Sequence, residues 1–569
     1  MAYNLGVPPG WRKATRNLPA LSPPVIVTDT FTPPQRLPVW SSLEQHAARL
    51  RATRVRTLFD TDAGRFQRLS RSVCGLTVDF SKQRLDAAAL ADLLELASAA
   101  GLQDGIAGLF GAAQMNFTEG RAALHMALRG SCPAPGGEDV TRYFREARSF
   151  ARALREGGIK GATGKSINHV INLGIGGSDL GPRMVFEALA HTHRPVKVDF
   201  VANIDPRDLD EALAGVDPER TLFIVSSKSF GTAETLSNAT AARAWLASTL
   251  PARVADNALA VHFAAVSNAT ASAAAFGIPP ERVFPLPEWV GGRYSVWSAI
   301  GLPLLIAFGE AGFDAFLAGG RDLDQHFLKA PLADNLPVLM GLVGLWNTDF
   351  LGLETLAVLP YAHGLRNFAM WLQQLEMESN GKRTLRNGEA SAVQTSPVVW
   401  GGVGTVGQHA FHQLFYQGTR TIPMDFIVPV GDDDPRQRGL VDNAFAQAAA
   451  LMNGRDLATA TAALAAKGMT PDEVERLAPH LVCPGNQPST TILLPQLDAY
   501  HLGALLALYE HKVFVQGWIW GINSFDQYGV ELGKEMARAL AQGGSAECDA
   551  STAGLMAAAA AIRASNRAR

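Results

Sequence analysis

The sequence predicts an α/β protein: two doubly wound, mostly parallel sheet domains with flanking helices and a C-terminal helical tail. Three observations carry that expectation. Short apolar runs of β-prone residues recur, each followed by a Gly- or Ser-bearing turn and a helical pattern; such runs suit strands buried on both faces. The scheme runs once between His169 and Val266 and restarts beyond Gly309–Leu336. Finally, 569 residues, 47% of them hydrophobic, can bury cores for two to four domains.

Taken in order, residues 1–38 hold the pairs Pro8-Pro9, Pro23-Pro24 and Pro33-Pro34, which suits an extended arm rather than a domain. Residues 39–115 read as a helical region packing on the core, with Asp86–Leu90 opening a strongly periodic segment. The first α/β domain is expected over 116–310. Its strand candidates are Val170–Leu173, Val196–Val201, Thr221–Val225 and Ala258–Val266, and Ser295–Phe308 reads as a buried helix. The second is expected over 311–536, with a helix from Pro337, strands at Leu356–Leu359 and Phe426–Val430, and a helix at Val441–Asn453. Residues 537–569 form the tail, broken by Gly543-Gly-Ser545 and ending with Arg563, Arg567 and Arg569, a placement that favours a helix dipole.

Composition excludes several classes. A net charge of −3 without a basic run argues against nucleic-acid binding. Cys74, Cys132, Cys483 and Cys548 show no metal-ligand or disulfide spacing. No uninterrupted apolar run reaches membrane-spanning length. The first thirty residues lack an apolar signal core; Arg12, Lys13 and Arg16 leave a presequence open, while Pro8, Pro9 and Pro19 oppose the amphipathic helix it needs. The expected location is cytoplasmic.

The chemistry-bearing stretch is Phe368–Lys382. Phe368, Trp371, Leu372 and Leu375 mark one buried helical face, and Gln374 and Glu378, four apart, project side by side at its edge. Glu376 points roughly the opposite way. With Asn380-Gly381 as the helix stop, Glu378 sits half desolvated at the negative end of the dipole, a setting that suits a carboxylate accepting and returning a proton, or else a plain surface acid.

Two turns follow strands of one sheet. Gly174-Ile-Gly-Gly-Ser178 begins like a dinucleotide fingerprint, but Asp179 replaces the third glycine; what remains is a turn able to bring backbone N–H groups to an anion. Gly161–Ser166 resembles a nucleotide phosphate loop, yet Ile159 stands at its first glycine and the segment precedes a strand. Ser227, Ser229 and Thr232 set three hydroxyls around Lys228 at a helix start, suited to a phosphate monoester or to ordinary N-capping. Arg293, in the tight turn Val290–Ser295, fits either a clamp for developing negative charge or a structural ion pair. His409 opens a helix after a Gly-rich turn, and Phe525–Lys534 offers Gln527 and an i,i+3 pair, Glu531–Lys534.

Six segments together resemble the glucose-6-phosphate isomerase family: Gly174–Pro182, Ser227–Thr232, Gly291–Gly301, Glu378–Lys382, Gly407–His409 and Phe525–Lys534, in the family's order. The resemblance spans about Leu43 to Met536. It implies two SIS-type domains, a homodimer with active sites shared between subunits, no metal and no coenzyme. It also implies interconversion of glucose 6-phosphate and fructose 6-phosphate. Gly177, Ser178, Ser227, Lys228, Ser229, Thr232 and Gln374 would bind the phosphate end. Glu378 would shuttle a proton between C1 and C2, and Arg293 would stabilise the enediolate. His409 and Lys534 would open the ring, with Gln527 helping to hold the sugar. Ser229 stands for the family's commoner Thr, and Tyr528 for its Trp. Rival readings are a non-catalytic sugar-phosphate sensor and an isomerase of another sugar phosphate, such as a mannose phosphate.

Overall fold

The computed structural model describes residues 31–568 except 193, 252–253, 255–257 and 542–547. Most of the Pro-rich arm, the Gly543–Ser545 break and Arg569 therefore lie outside the described residues. By packing, the chain divides after Phe525 into a large unit and a C-terminal unit beginning at Asp526.

The large unit is built on two sheets. The first is wholly parallel, with β3 (His169–Leu173) between β4 (Lys197–Val201) and β5 (Thr221–Ser226), then β6 (Phe263–Val266) and β7 (Val283–Phe284). Strands β3 and β5 are buried at every position, as their mainly apolar sequences require. The chain leaves β3 for β4 on one side and returns to β5 on the other, so the turns after β3 and β5 diverge. That is the switch point at which open α/β sheets leave a ligand crevice.

The second sheet runs β1-β2-β11-β10-β8-β9. Its parallel members are β8 (Thr355–Pro360), β9 (Val398–Gly401), β10 (Met424–Pro429) and β11 (Ser489–Leu494). Its edge corrects the expectation of a purely helical N-terminal region. β1 (Ser70–Val73) and β2 (Leu76–Asp79) form a hairpin whose second strand pairs antiparallel with β11. Cys74 and Gly75, at φ 52° and 78°, make the two-residue left-handed turn that matches strand twist. Four-residue strands in a Ser- and Arg-rich stretch carry too little periodicity to be read locally.

Two more expectations shift. Ala258–Val266 is helix over Ala258–His262 and strand only from Phe263. The helical backbone does break at Gly309, at φ 75°, as the reading of Ser295–Phe308 implies, but helix resumes as far as Lys329 within Gly309–Leu336, where no element was expected. The stretch Ala299–Lys329 is long and apolar enough to cross a membrane. It is instead largely buried and lies against the buried helix Ala499–Trp520. In the C-terminal unit, Tyr528–Val530 turns into the helix Glu531–Ala541, and Ala550–Ala568 is a second helix.

Candidate active site

The turn after β3 winds through Gly176–Ser178 into the helix Leu180–Ala188, and the turn after β5 leads through Ser227–Thr232 into the helix Ala233–Thr249. Between them lies a cavity of about 660 Å³ lined by Ser178, Ser227, Lys228, Ser229, Thr232 and Glu288, among others. Thr232 occupies the N-cap position, but its hydroxyl makes no capping bond; it pairs with Ser227 Oγ at 3.2 Å. The N-capping reading of this turn is thereby removed, and the two hydroxyls face a common space beside a helix start. Lys228 Nζ is held by the Glu288 carboxylate at 3.1 Å and by the Glu288 carbonyl at 3.0 Å. Burial lowers the Lys228 ammonium's pKa below its ordinary value, with Glu288 opposing.

The arginine turn closes against the first of these loops. A Cβ on Gly177 would fall 2.0 Å from the Gly292 carbonyl oxygen, so only glycine allows the two backbones to approach this closely. Gly292 also lines the cavity, and the next residue is Arg293. Its side chain is almost fully buried and reaches three oxygens: Nη1 donates to Glu378 Oε1 (2.8 Å), Nε to Ser379 Oγ (2.6 Å) and Nη2 to the Ser524 carbonyl (2.7 Å). The Glu378 side chain keeps 25% exposure, and its other oxygen accepts from Gln374 Nε2 at 3.1 Å. A Cβ at Gly176 would lie 3.1 Å from that same Gln374 nitrogen. The β3 loop, Gln374, Glu378, Arg293 and Gly292 thus form a closed ring beside the cavity.

The helix that carries Glu378 differs from the regular one expected. It is α-helical over Phe368–Leu372 and π-helical over Gln373–Glu378. Such one-turn widenings gather at functional sites. Phe368, Trp371, Leu372 and Leu375 do form the buried face. Glu376, on the far side from Glu378, is fully buried and ion-paired at 2.6 Å with Lys512 from Ala499–Trp520. One acid of the pair Glu376/Glu378 is therefore locked into the core, and the other is left half-open. The local sequence placed Glu378 by a negative helix end; the guanidinium that faces it comes from 85 residues earlier in the chain.

His409 is brought to none of these groups within the chain. It sits exposed on the turn Gly407–His409 after β9, outside the cavity lining. Lys534 and Gln527 belong to the C-terminal unit, where both are exposed and Lys534 Nζ pairs with Glu531 at 2.8 Å. Sequence reasoning missed Ser379, Tyr294 and the Ser524 carbonyl. Ser379 and Tyr294 stood inside the segments it singled out, but an uncharged hydroxyl sends no signal of its own.

Comparison with known proteins bears directly on this arrangement. The phosphoglucose isomerase family model matches residues 79–556. The glucose-6-phosphate isomerase of Aromatoleum aromaticum is 68% identical, the alignment covering 94% of this chain and 99% of the relative. That of Ectopseudomonas mendocina is 48% identical over 92% and 96%. The crystal structure of a glucose-6-phosphate isomerase from Chlamydia trachomatis superposes with a TM-score of 0.79 at 31% identity, covering 93% of this chain and all of that one.

Proposed function

Because the chain belongs to the phosphoglucose isomerase family, aldose–ketose isomerases that interconvert glucose 6-phosphate and fructose 6-phosphate, we propose that the ring of residues beside the serine-lined cavity is its catalytic centre. The observation that carries this reading is the 2.8 Å contact of Arg293 with a half-exposed Glu378, one residue along from the cavity wall at Gly292. A base and a fixed cation at one place are what an enediolate intermediate demands.

The phosphate end occupies the cavity, held by Gly177, Ser178, Ser227, Lys228, Ser229 and Thr232, with Gln374 beside it. Binding energy there orients the sugar carbons at Glu378. In the open-chain aldose, Glu378 removes the proton from C2. The C–H electrons form the C1=C2 bond, and O1 takes the charge and is stabilised by Arg293. The proton on O2 passes to O1, C2 becomes the carbonyl, and Glu378 returns its proton to C1. Every group that moves a proton or stabilises charge in this scheme is a side chain, so the scheme calls for no metal or coenzyme.

Ring opening falls to His409 and Lys534, with Gln527 holding the sugar. His409 acts from the second subunit of a homodimer. In support, it is exposed on a turn that also exposes Val406, and Val398 and Leu414 are exposed on the neighbouring elements. A cytoplasmic, reducing location accords with the free thiols of Cys74, Cys132 and Cys483.

The test is turnover of fructose 6-phosphate coupled to a glucose 6-phosphate dehydrogenase, with a chelator present. Full activity is expected. Turnover of mannose 6-phosphate alone, or activity lost to the chelator, would overturn the reading.

A further inference from the structure

Arg293 has to keep its aim while its carboxylate partner changes charge. On the proposed cycle Glu378 gains a proton at the moment negative charge appears on the sugar oxygen, and a neutral carboxyl holds a guanidinium more weakly than a carboxylate does. The other two nitrogens also donate to groups that do not titrate in this range: Nε to the Ser379 hydroxyl at 2.6 Å and Nη2 to the Ser524 carbonyl at 2.7 Å.

Ser379 is distinctive among these partners. It is fully buried, follows the base directly in the chain, and is itself held by the Tyr294 hydroxyl at 3.0 Å. Tyr294 is the residue after Arg293 and stacks on His125 with ring centroids 4.6 Å apart. The backbone at the base is also pinned: Lys382 Nζ donates to the carbonyls of Glu378 (2.9 Å), Ser379 (2.9 Å) and Asn523 (3.0 Å). Consecutive residues of one helix therefore grip two nitrogens of one guanidinium, one through a charge that comes and goes, the other through a hydroxyl that stays.

We propose that Ser379 is the positioning residue for Arg293: its hydroxyl registers the guanidinium against the helix turn that carries the base, so the cation remains aimed after Glu378 has taken the proton. The Tyr294 hydroxyl orients Ser379 in turn. This rests on the roles proposed for Glu378 and Arg293.

The experiment compares wild type with Ser379→Ala, Ser379→Thr, Tyr294→Phe and Arg293→Lys. Each is assayed for kcat and KM with fructose 6-phosphate. Inhibition is measured for inorganic phosphate, which samples the serine loops alone, and for a phosphorylated sugar hydroxamate, which mimics the enediolate. Ser379→Ala should lower kcat about 10- to 100-fold, with a matching loss of hydroxamate affinity. KM and phosphate inhibition should stay within about threefold of wild type, the range of an untouched binding loop. Ser379→Thr, which keeps the hydroxyl, should recover most of the loss. Tyr294→Phe should show the same pattern at about fivefold, and keeps the proposal testable should the alanine variant not fold, since it removes a single neutral hydrogen bond. Loss of phosphate and hydroxamate affinity together, or unchanged hydroxamate affinity in both Ser379→Ala and Tyr294→Phe, would overturn it. If Arg293→Lys itself leaves hydroxamate affinity unchanged, the role given to Arg293 fails instead.

Discussion

Arg129 and Arg293 are both buried, both paired with acid, and employed in opposite ways. Arg129 is sealed: Nε and Nη2 grip Asp324 at 2.8 and 2.6 Å, Nη1 grips Glu510 at 2.6 Å, and its carbon lies 4.4 Å from the centre of the Trp297 ring. Both acids are themselves buried, Asp324 receiving His511 and Glu510 receiving the Trp297 indole. The three side chains tie the helices Leu302–Lys329 and Ala499–Trp520 to the short helix Arg129 follows. Arg293 meets the carboxylate of Glu378, which stays partly exposed, and it also donates to two neutral oxygens, the Ser379 hydroxyl and the Ser524 carbonyl. Two carboxylates around one cation leave no charge to offer a substrate. One carboxylate that can be neutralised by a proton leaves the cation available when it is needed. The two sites share a turn, Gly292–Trp297, which carries Arg293 at one end and Trp297 at the other.

That contrast is broken most sharply at the acids. Glu378→Gln removes the proposed proton carrier and keeps the shape. We expect kcat to fall about 10³- to 10⁴-fold and exchange of the C2 proton with solvent to cease. Stability should stay within about 0.5 kcal/mol of wild type in urea titrations, as for other substitutions outside the core. Near-normal exchange would remove Glu378 from its role. Arg129→Met should do the reverse. It strands Asp324 and Glu510 in the core and should cost about 3–5 kcal/mol of unfolding free energy, as for other broken buried pairs. Activity per folded molecule should change little. Equal losses of activity and stability in both variants would erase the distinction drawn between the two arginines.

The sequence carries the same contrast only in part. Strands β3, β5, β8 and β10 were legible because burial on both faces leaves unbroken apolar runs, and the turns after β3 and β5 were legible because their hydroxyls cluster. Glu378 and Arg293 announced themselves as charges in tight motifs. Their contact did not, since it depends on Gly177 letting the arginine turn close on the β3 loop. The π turn was invisible as well: it lies where Glu376 is drawn to Lys512, 136 residues further along the chain. Nothing local marks Glu376 as buried and Glu378 as half-open, and nothing marks a main-chain carbonyl such as that of Ser524 as an anchor. Arg129 passed unremarked for the same reason, an ordinary arginine whose partners lie some 200 and 400 residues away.

The sealed site should also show itself in acid. Burial by itself would push the Glu510 carboxyl up, but Arg129 and then His125 outweigh it and hold it at about 2. Asp324, again against its burial, is lowered by Arg129 and His511. An acid held below its ordinary value stabilises the fold fully above that value, here 4.5 for Glu510, and ceases to do so as pH falls toward the folded value. Glu510 alone then accounts for on the order of 3 kcal/mol, lost between about pH 4.5 and pH 2. Urea midpoints measured across that interval should fall steeply for wild type. In Arg129→Met the cation that lowers both acids is gone, so the same interval should be much flatter. An Arg129→Met profile as steep as that of wild type would remove Arg129 as the group that holds the two acids down.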